Sequence, residues 1–405
     1  MAEPRAILVL GVGAEGLDGL SPTDRERLQS ADVVCGGKRH LCMLDGADLE
    51  TIPIVGPIEN VLERVSVAIS GGRRLAVLAS GDPCCFGIGS LLVERFGREQ
   101  VEIVPSVSAI QLAFARLGQQ WQEAQLVSAH GRPIEGVIGP VLAARRSAIL
   151  TDGLNTPSAI ARMLSECGLE DCPVAVAERL GGPRERIVES TLTSIVTETF
   201  DPLNVFLILR SNDASLLRPR LGLPDESYAH RGAMITKAEV RAVSLSQLAI
   251  SPGDVVWDIG AGCGSVSLEA ASFVRHGFVY AVERDAQQLG HLRKNLRAMT
   301  GPARIVEGEA PTALRVLPTP SAVFLGGSGD KLEAILDCVV DRLAPRGRLV
   351  ANFVVLEHLV TCQQHLHRHG WWTRVTQIAV SRGTALGRLE ALNPVFVLAA
   401  GRTDA

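Results

Sequence analysis

A glycine-rich turn in the second half of the chain constrains the fold more than any other feature. The segment Asp258–Ser265 reads DIGAGCGS and follows the apolar run Asp254–Ile259 (DVVWDI). Gly260, Gly262 and Gly264 alternate there, and glycine lets a backbone turn sharply and lets a ligand approach without a Cβ in the way. A helix that begins after the turn would point its free N–H groups into it. The pattern predicts an α/β fold with a ligand site after its first strand.

A second strand-to-loop turn lies in the first half of the chain and has a different sequence pattern. Ser80–Pro83 (SGDP) closes the apolar run Leu75–Ala79. A chain of 405 residues is too long for one ordinary core and predicts two or three domains. Two unrelated turns, each after a strand and each able to hold a small cofactor, predict two active sites on one chain.

The composition is that of a globular protein, with 46% hydrophobic and 21% charged residues. A net charge of −4 and an aromatic content of 4% argue against a nucleic-acid surface. The nine cysteines include no CxxC pair and no His partner at zinc spacing, so we predict reduced thiols, no metal site and a cytoplasmic protein. No apolar run reaches membrane-spanning length, and we expect the first apolar run to be a strand rather than a signal peptide.

Apolar runs alternate with helical patterns and divide the chain into domains. Residues 1–212 predict two α/β lobes, about 1–118 and 119–212, with mostly parallel sheets. The stretch 213–230 has no sustained period and is interpreted as a linker. Residues 231–405 predict a doubly wound, Rossmann-like sheet with a reversed edge strand, because no helix separates the last two strands. The strands expected in this last domain are Val255–Ile259, Phe278–Glu283, Ala303–Val306, Ala322–Leu325, Arg348–Phe353, Thr373–Val380 and Val395–Ala399.

Acidic residues accompany the first three strands of this last domain. Asp258 precedes the first glycine by two, Glu283 ends the next strand, and Glu309 with Ala310 follows the third. Their pattern with DxGxGxG resembles that of the class I S-adenosylmethionine (SAM) methyltransferases. The resemblance implies that Asp258 and the three glycines bind SAM, that Glu283 accepts the ribose hydroxyls, and that Glu309 meets the adenine amine. A nicotinamide site, which shares the acid-on-ribose contact, and ordinary turn glycines remain alternatives.

Short motifs follow one another through the first half. They are Gly11-Val12-Gly13, Gly36–Leu41 (GGKRHL), Ser80–Pro83, Pro105–Ala109 (PSVSA), Asn155-Thr156-Pro157, Ala177–Gly181 (AERLG) and Glu185. In this order they resemble the tetrapyrrole methylases, a SAM-dependent fold of two α/β lobes with the cofactor between them. Ala14 departs from the family, whose members often have proline there. The resemblance implies a cofactor site formed by Gly11, Gly13, Gly81, Asp82 and Ser108.

Further likenesses in the second half are Met234–Arg241 (MITKAEVR), Gly326–Gly329 (GGSG) and Asn393–Phe396 (NPVF). The two halves together resemble the bifunctional precorrin methyltransferases (decarboxylating) of cobalamin biosynthesis. This implies two SAM sites per chain and a tetrapyrrole substrate. The first half would methylate carbon 5, and the second would methylate carbon 15 and decarboxylate the acetate on ring C.

Such a substrate carries many carboxylates, so basic side chains are expected in both pockets. The substrate-binding candidates are Lys38, Arg39, His40, His130, Arg132 and Arg382. The catalytic candidates beside the second crevice are Thr236, Lys237 and Arg241. Each is also an ordinary residue for an exposed helix or loop. Two other functions remain open, a nicotinamide-dependent precorrin reductase fused to a single tetrapyrrole methylase and a non-enzymatic SAM-sensing lobe. Apolar helices in both halves favour a homo-oligomer.

Overall fold

Three β-sheets and one short ribbon organise the computed structural model. It describes residues 6–44, 49–210, 220–232, 234–383 and 387–403, so residues 213–219 of the predicted linker lie outside it. The α/β fold class expected from the sequence is confirmed. No helix among the described residues combines the length and the apolar character needed to cross a bilayer.

The first lobe is a parallel sheet covered by helices. Its elements are β1 (Ile7–Val12), α1 (Pro22–Gln29), β2 (Val33–Gly36), α2 (Lys38–Leu41), β3 (Glu50–Pro53), α3 (Ile58–Ser70), β4 (Leu75–Ser80), α4 (Ile88–Phe96), β5 (Val101–Val104) and α5 (Ala109–Arg116). The strand order is β3-β2-β4-β1-β5, and all pairs are parallel. Both faces are covered, so β1 and β4 are almost entirely buried and read as continuous apolar runs. This order brings the ends of β1, β4 and β5 together at one edge.

The second lobe differs from the expected mostly parallel sheet. Its elements are β6 (Gln125–Ser128), α6 (Glu135–Ala143), β7 (Arg146–Leu150), α7 (Pro157–Glu166), β8 (Pro173–Glu178), β9 (Arg186–Thr191) and β10 (Asn204–Leu209). The order is β6-β7-β10-β8-β9, and only the β6–β7 pair is parallel. The loop between β8 and β9 is too short for a crossover, which forces an antiparallel pair.

The C-terminal domain is a seven-stranded sheet. Its elements are α8 (Ala238–Leu248), β11 (Val255–Ile259), α9 (Ser265–Ala271), β12 (Phe278–Glu283), α10 (Ala286–Ala298), β13 (Ala303–Glu307), β14 (Ala322–Leu325), α11 (Leu332–Arg342), β15 (Arg348–Phe353), α12 (Leu356–Arg368), β16 (Trp371–Ile378), β17 (Ser381–Gly383), β18 (Leu389–Ala391) and β19 (Val395–Arg402). The order is β13-β12-β11-β14-β15-β19-β16. The reversed strand is β19, one place in from the edge, so the expectation of a reversed edge strand was wrong. It is inserted between β15 and β16, and the β17–β18 ribbon interrupts the final hairpin.

The second lobe and the C-terminal domain touch through closely packed backbone. A Cβ added to Gly139 would lie 2.3 Å from the carbonyl oxygen of Arg275, and one added to Gly168 would lie 2.3 Å from that of Leu296. The Thr300 hydroxyl donates to the Gly168 carbonyl at 3.0 Å. One contiguous apolar core contains residues of both units. The two halves are therefore packed against each other as well as joined by the chain.

Candidate functional site

The three glycines of the turn after β11 differ in the space around their Cβ positions. Gly260 (φ +71°) lies against Gly327, whose carbonyl oxygen would be 2.5 Å from an added Cβ. At Gly264 (φ +83°) a Cβ would meet the Leu292 side chain at 2.1 Å. Gly262 (φ +57°) has nothing within 4 Å of its Cβ position. Gly260 thus allows close backbone packing and Gly264 leaves space for the Leu292 side chain, whereas Gly262 leaves room for a ligand to approach the chain.

A cavity of about 990 Å³ opens beside this turn, at the ends of β11, β12, β14 and β15. This lies at the upper end of the range for small-molecule sites, which is roughly 300–1,000 Å³. Of the predicted site residues, those that line it are Thr236, Lys237, Gly260, Gly262, Glu283, Glu309 and Ala310. Asp258, Gly264, Arg241 and Arg382 are not among its lining residues.

The Glu283 carboxylate is fixed by the backbone around it. Its Oε2 accepts the Gly262 N–H at 2.8 Å, and its Oε1 accepts the N–H groups of Arg284 and Asp285 at 2.8 Å each. A carboxylate has about four acceptor positions, so roughly one is left, on Oε2. The side chain is therefore oriented in advance for one strong hydrogen bond from a hydroxyl. A second hydroxyl would have to share the same acceptor position on Oε2.

Asp258 lies behind the turn and is 1% exposed. The Ser267 hydroxyl donates to its Oδ2, while its Oδ1 has no hydrogen-bond partner among the described residues. Burial, with a smaller contribution from the charge of Glu283, raises the pKa of Asp258 to about 7. Asp258 thus lies behind the turn rather than in the cavity, and its unpaired oxygen is a buried polar group that an ordered water would satisfy.

The Glu309 carboxylate is already engaged on the cavity wall. Arg284 and Lys331 each donate to one of its oxygens. The Lys331 hydrogen bond is the main cause that lowers the pKa of Glu309. The predicted contact with an adenine amine would therefore compete with two cations. Arg284 and Lys331 were missed in the sequence, although Arg284 directly follows the strand-end acid.

Asp225 forms ion pairs with three cationic side chains near the start of α8. It is 4% exposed, and its carboxylate contacts Arg382 at 3.0 Å, Arg241 at 3.4 Å and Lys237 at 3.9 Å. Lys237 is the only one of the three cations that lines the cavity in the described structure. Asp225 lies within the predicted linker, yet it is part of the C-terminal domain's packing.

Arg241 is fully buried, unlike the exposed helix residue that the sequence alternative described. It donates to Glu269 at 2.7 Å and to the backbone carbonyls of Thr236 and Leu223. Glu269 also accepts the Tyr228 hydroxyl at 3.1 Å. The bonds that involve Leu223 and Tyr228 hold residues 222–228 against α8 and α9. Arg241 is thus placed to position its neighbour Lys237 rather than to touch a substrate.

Arg382, predicted to bind substrate carboxylates, forms a fork-like pair with Glu239. Its Nε and Nη2 lie 3.0 and 2.7 Å from the two carboxylate oxygens. Together with Asp225, this pair fastens the β17–β18 ribbon to the start of α8. The ribbon's Ala391 and the following Leu392 and Asn393 line the cavity.

Two cavity-lining amides were missed by the sequence reasoning. The Asn352 side chain, near the end of β15, accepts from Ser244 at 3.0 Å, and its Nδ2 has no partner among the described residues. Gln288 is 4% exposed, and its Oε1 likewise has no described partner. Asn352 could have been found by its position near a strand end, but no local signal marks Gln288.

In the first lobe the predicted glycines meet at the ends of three strands. A Cβ on Gly11 would lie 2.1 Å from the Gly81 carbonyl oxygen and 2.5 Å from the Ser106 nitrogen. Gly81 (φ +57°) would place its Cβ 2.9 Å from the Ser108 Cα. At Gly13 the nearest atom is 3.1 Å away. These glycines therefore allow three loops to approach one another at one edge of the sheet.

The two polar residues predicted for this site have local partners. Ser108 caps α5, with its hydroxyl accepting the Gln111 N–H at 3.2 Å and its own N–H donating to the Gln111 side chain at 2.9 Å. Asp82 accepts the Cys84 N–H at 2.8 Å within the SGDP turn. Both contacts are structural and leave acceptor positions for a ligand.

The basic cluster on α2 divides into two parts. Lys38 and Arg39 are exposed, and Arg39 donates to the Ser80 hydroxyl at 2.9 Å. His40 is buried, and burial together with the Arg39 charge lowers the pKa of its imidazole to about 4. His40 is therefore neutral near pH 7 and can supply no positive charge to a carboxylate.

His130 and Arg132 lie on the second lobe, away from the α2 cluster in the fold. Both are exposed, and the Gly131 N–H between them donates to Asp152 at 2.8 Å. His130 approaches the Thr151 carbonyl at 3.4 Å. They border the end of β6 and leave their side chains open to solvent.

Comparison with known proteins gives two family matches that divide the chain. Residues 6–196 match the tetrapyrrole (corrin/porphyrin) methylases, and residues 226–400 match the precorrin methyltransferase domain. Neither match is a reductase, so the nicotinamide alternative gains no support.

Curated relatives cover the whole chain and also its parts. A Sinorhizobium protein named "Precorrin-6Y C(5,15)-methyltransferase [decarboxylating]" is 34% identical over 96% of this chain and 94% of its own length. A Pyrobaculum calidifontis protein named "Probable cobalt-precorrin-6B C(15)-methyltransferase (decarboxylating)" is 41% identical over 44% of this chain and 95% of its own. A Salmonella typhimurium protein named "Cobalt-precorrin-7 C(5)-methyltransferase" is 34% identical over 45% and 88%. With its two family matches and its full-length similarity to the Sinorhizobium protein, the chain belongs to the precorrin-6Y C5,15-methyltransferase (decarboxylating) family.

Proposed function

We propose that this chain binds two SAM molecules, methylates a precorrin at carbons 5 and 15, and removes the ring C acetate carboxylate as carbon dioxide. The observation that carries the proposal is the cavity beside Gly262, with the fixed Glu283 carboxylate at its wall. Its volume of about 990 Å³ exceeds the need of one cofactor and leaves space for part of a second molecule. When bound, SAM supplies an electrophilic methyl group on a sulfonium.

The protein's part in methyl transfer is alignment and exclusion of water. A reduced tetrapyrrole is electron-rich at its bridging carbons, so no strong base is required of the protein. Glu283 would hold the ribose, and the open Gly262 would let the cofactor lie against the backbone. Positioning of this kind removes a large share of the activation free energy of a bimolecular reaction.

For decarboxylation the enzyme has to hold a carboxylate and a proton source in the same cavity. The Lys237 ammonium and the Thr236 hydroxyl line it, and Asp225 and Arg241 fix the start of α8 that carries them. The leaving carboxylate departs as carbon dioxide, and the electron pair of the broken C–C bond passes into the conjugated ring. A proton delivered to the former acetate carbon completes the step.

For the N-terminal half we propose a second SAM site at Gly11, Gly13 and Gly81 and methylation of carbon 5. Its support is the meeting of three loops at the ends of β1, β4 and β5. Lys38, Arg39 and Arg132 are exposed cations available to macrocycle carboxylates, and the exposed His130 imidazole lies beside Arg132 in the sequence. A homo-oligomer, which light scattering can measure, stays a prediction.

The test is mass spectrometry of a precorrin incubated with SAM and the full chain. We expect a product with two added methyl groups and one lost carbon dioxide. A variant disabled in the C-terminal glycine turn should give one added methyl group and no loss of carbon dioxide. If the unchanged chain binds SAM but never alters the macrocycle's mass, the proposed substrate is wrong.

A further inference from the structure

Three potential metal ligands meet between α11 and α12, away from the cavity described above. They are Asp337 on α11 and His365 and His369, which lie at i and i+4 on α12 and its C-cap. One ligand atom from each lies within 4.8 Å of the others. We propose that these three residues bind one divalent transition-metal ion of the zinc class.

His365 is the observation that points to a ligand. Its side chain is 7% exposed, yet neither ring nitrogen forms a hydrogen bond of acceptable geometry with any described residue. Such an imidazole is costly to bury, because the contact of its Nε2 with Asp337 is misaligned and its Nδ1 has no partner among the described residues. A metal ion bound at Nε2 would satisfy that nitrogen.

The contact between His365 and Asp337 has the length expected of two ligands of one ion. Nε2 of His365 lies 3.0 Å from Oδ1 of Asp337, although the N–H direction does not suit a hydrogen bond. Two donors, each roughly 2.0–2.1 Å from a zinc ion at angles between a right angle and the tetrahedral value, are about 2.9–3.4 Å apart. The His369 ring lies beside the His365 ring, with centroids 5.1 Å apart, and the ligand atoms of the three residues lie within 4.8 Å of one another. A side-chain rotation of His369 would bring its nitrogen into the same shell.

The ligand set determines the class of ion. Two imidazoles and one carboxylate suit Zn²⁺ and its neighbours Co²⁺, Ni²⁺ and Cu²⁺ rather than Mg²⁺ or Ca²⁺. With three protein ligands, the fourth position would hold water. The expectation of no metal site rested on cysteine patterns, whereas His365 and His369 have the helical spacing H-x₃-H with no cysteine needed. The ion would clamp α11 to α12.

The experiment is calorimetric titration of the tag-free full chain with Zn²⁺ alone, combined with native mass spectrometry. We expect one ion per chain and a higher melting temperature with Zn²⁺ present. His369→Gln and Asp337→Asn, both at exposed residues, should each weaken binding about tenfold or more. His367→Gln on the same helix is the matched control, because His367 contacts Thr373 instead, and its affinity should not change.

A second readout separates this site from the free thiols. Co²⁺ bound to two imidazoles and a carboxylate gives visible d–d bands without thiolate-to-cobalt charge transfer. Exposed thiols such as Cys42 and Cys84 would add that charge-transfer absorption. The proposal is overturned if the chain takes up no Zn²⁺, or if it binds Zn²⁺ equally well in the His369→Gln and Asp337→Asn variants.

Discussion

The carbonyl oxygen of Gly327 occupies the space where a Cβ of Gly260 would be, 2.5 Å from the ideal position. The loop after β14 thus packs directly on the turn after β11, and the cavity wall is backbone on both sides. Any side chain at Gly260 has to push these two loops apart. The proposed cofactor site should therefore be sensitive to a single methyl group.

Gly260→Ala should disable the C-terminal SAM site and leave the N-terminal one. The φ of +71° and the clash with Gly327 should cost at least about 2 kcal/mol, or roughly a thirtyfold loss of affinity. Titration with S-adenosylhomocysteine should show two sites in the unchanged chain and one in the variant. Gly290→Ala on α10, where nothing lies within 4 Å, is the control and should keep both.

Gly81→Ala should produce the complementary loss. At φ +57°, with the Ser108 Cα 2.9 Å from the added Cβ, the SGDP turn has to move away from α5. We expect one remaining SAM site and a product that has lost carbon dioxide and gained only the carbon 15 methyl group. Gly153→Ala, which has open space around it, should behave as the unchanged chain. Retention of both methyl transfers in Gly81→Ala would contradict the N-terminal site.

Lys237→Met and Arg241→Met should differ in what they damage. Loss of the Arg241 guanidinium leaves the buried Glu269 charge unpaired, so unfolding in urea should need about 3–5 kcal/mol less free energy. Lys237→Met should change stability by no more than about 1 kcal/mol. Its decarboxylation rate should fall at least about tenfold while SAM affinity stays the same. Equal rates for Lys237→Met and the unchanged chain would remove Lys237 from the chemistry.

A double-mutant cycle decides whether Arg382 binds Glu239 or the substrate. If Arg382 serves only to fasten the ribbon, Glu239→Gln should raise KM for the precorrin, and Arg382→Gln should raise it further because it also loses the contact with Asp225. The double variant should then be no worse than Arg382→Gln alone. The stability coupling should be small, about 0.5–1 kcal/mol, since Arg382 is 36% exposed. A rise in KM for Arg382→Gln alone would instead indicate a substrate carboxylate.

Asp258 should make the folded state less stable as pH rises. Its folded pKa is about 7 against 3.8 for the unfolded chain, so between these values the folded state holds a proton that the unfolded state has lost. Its contribution to stability is complete below about pH 4 and decreases by about 1.4 kcal/mol per pH unit up to about pH 7. Urea unfolding of Asp258→Asn should show a flatter dependence on pH than the unchanged chain. Parallel curves for the two proteins would contradict this assignment.

Local pattern alone predicted the strands that face the C-terminal site. Val255–Ile259, Phe278–Glu283 and Arg348–Phe353 have the expected bounds, because each is a short and mostly apolar run. The direction of β8–β10 and the place of β19 could not be predicted, since both depend on pairings between distant segments. Strand period and length carry no information about such neighbours.

The same limit applies to the candidate site residues. The positive φ angles at Gly260 and Gly81 were implied by the motifs, but the burial of Arg241 depends on Glu269, which is 28 residues away in sequence. Arg382 finds its partner Glu239 at a separation of 143 residues. A charged residue near a crevice can therefore be recognised from the sequence. The acidic residue that already pairs with that charged residue cannot.

The contacts of Gly139 and Gly168 with the C-terminal domain make the covalent connection between the halves partly redundant. Each glycine has another segment's carbonyl oxygen 2.3 Å from its missing Cβ, and an apolar core continues across the boundary. Two separately expressed fragments carrying these surfaces should find each other and reassemble, in the manner of fragment complementation. A bulky residue at either glycine would hold the two surfaces apart and prevent the fragments from reassembling.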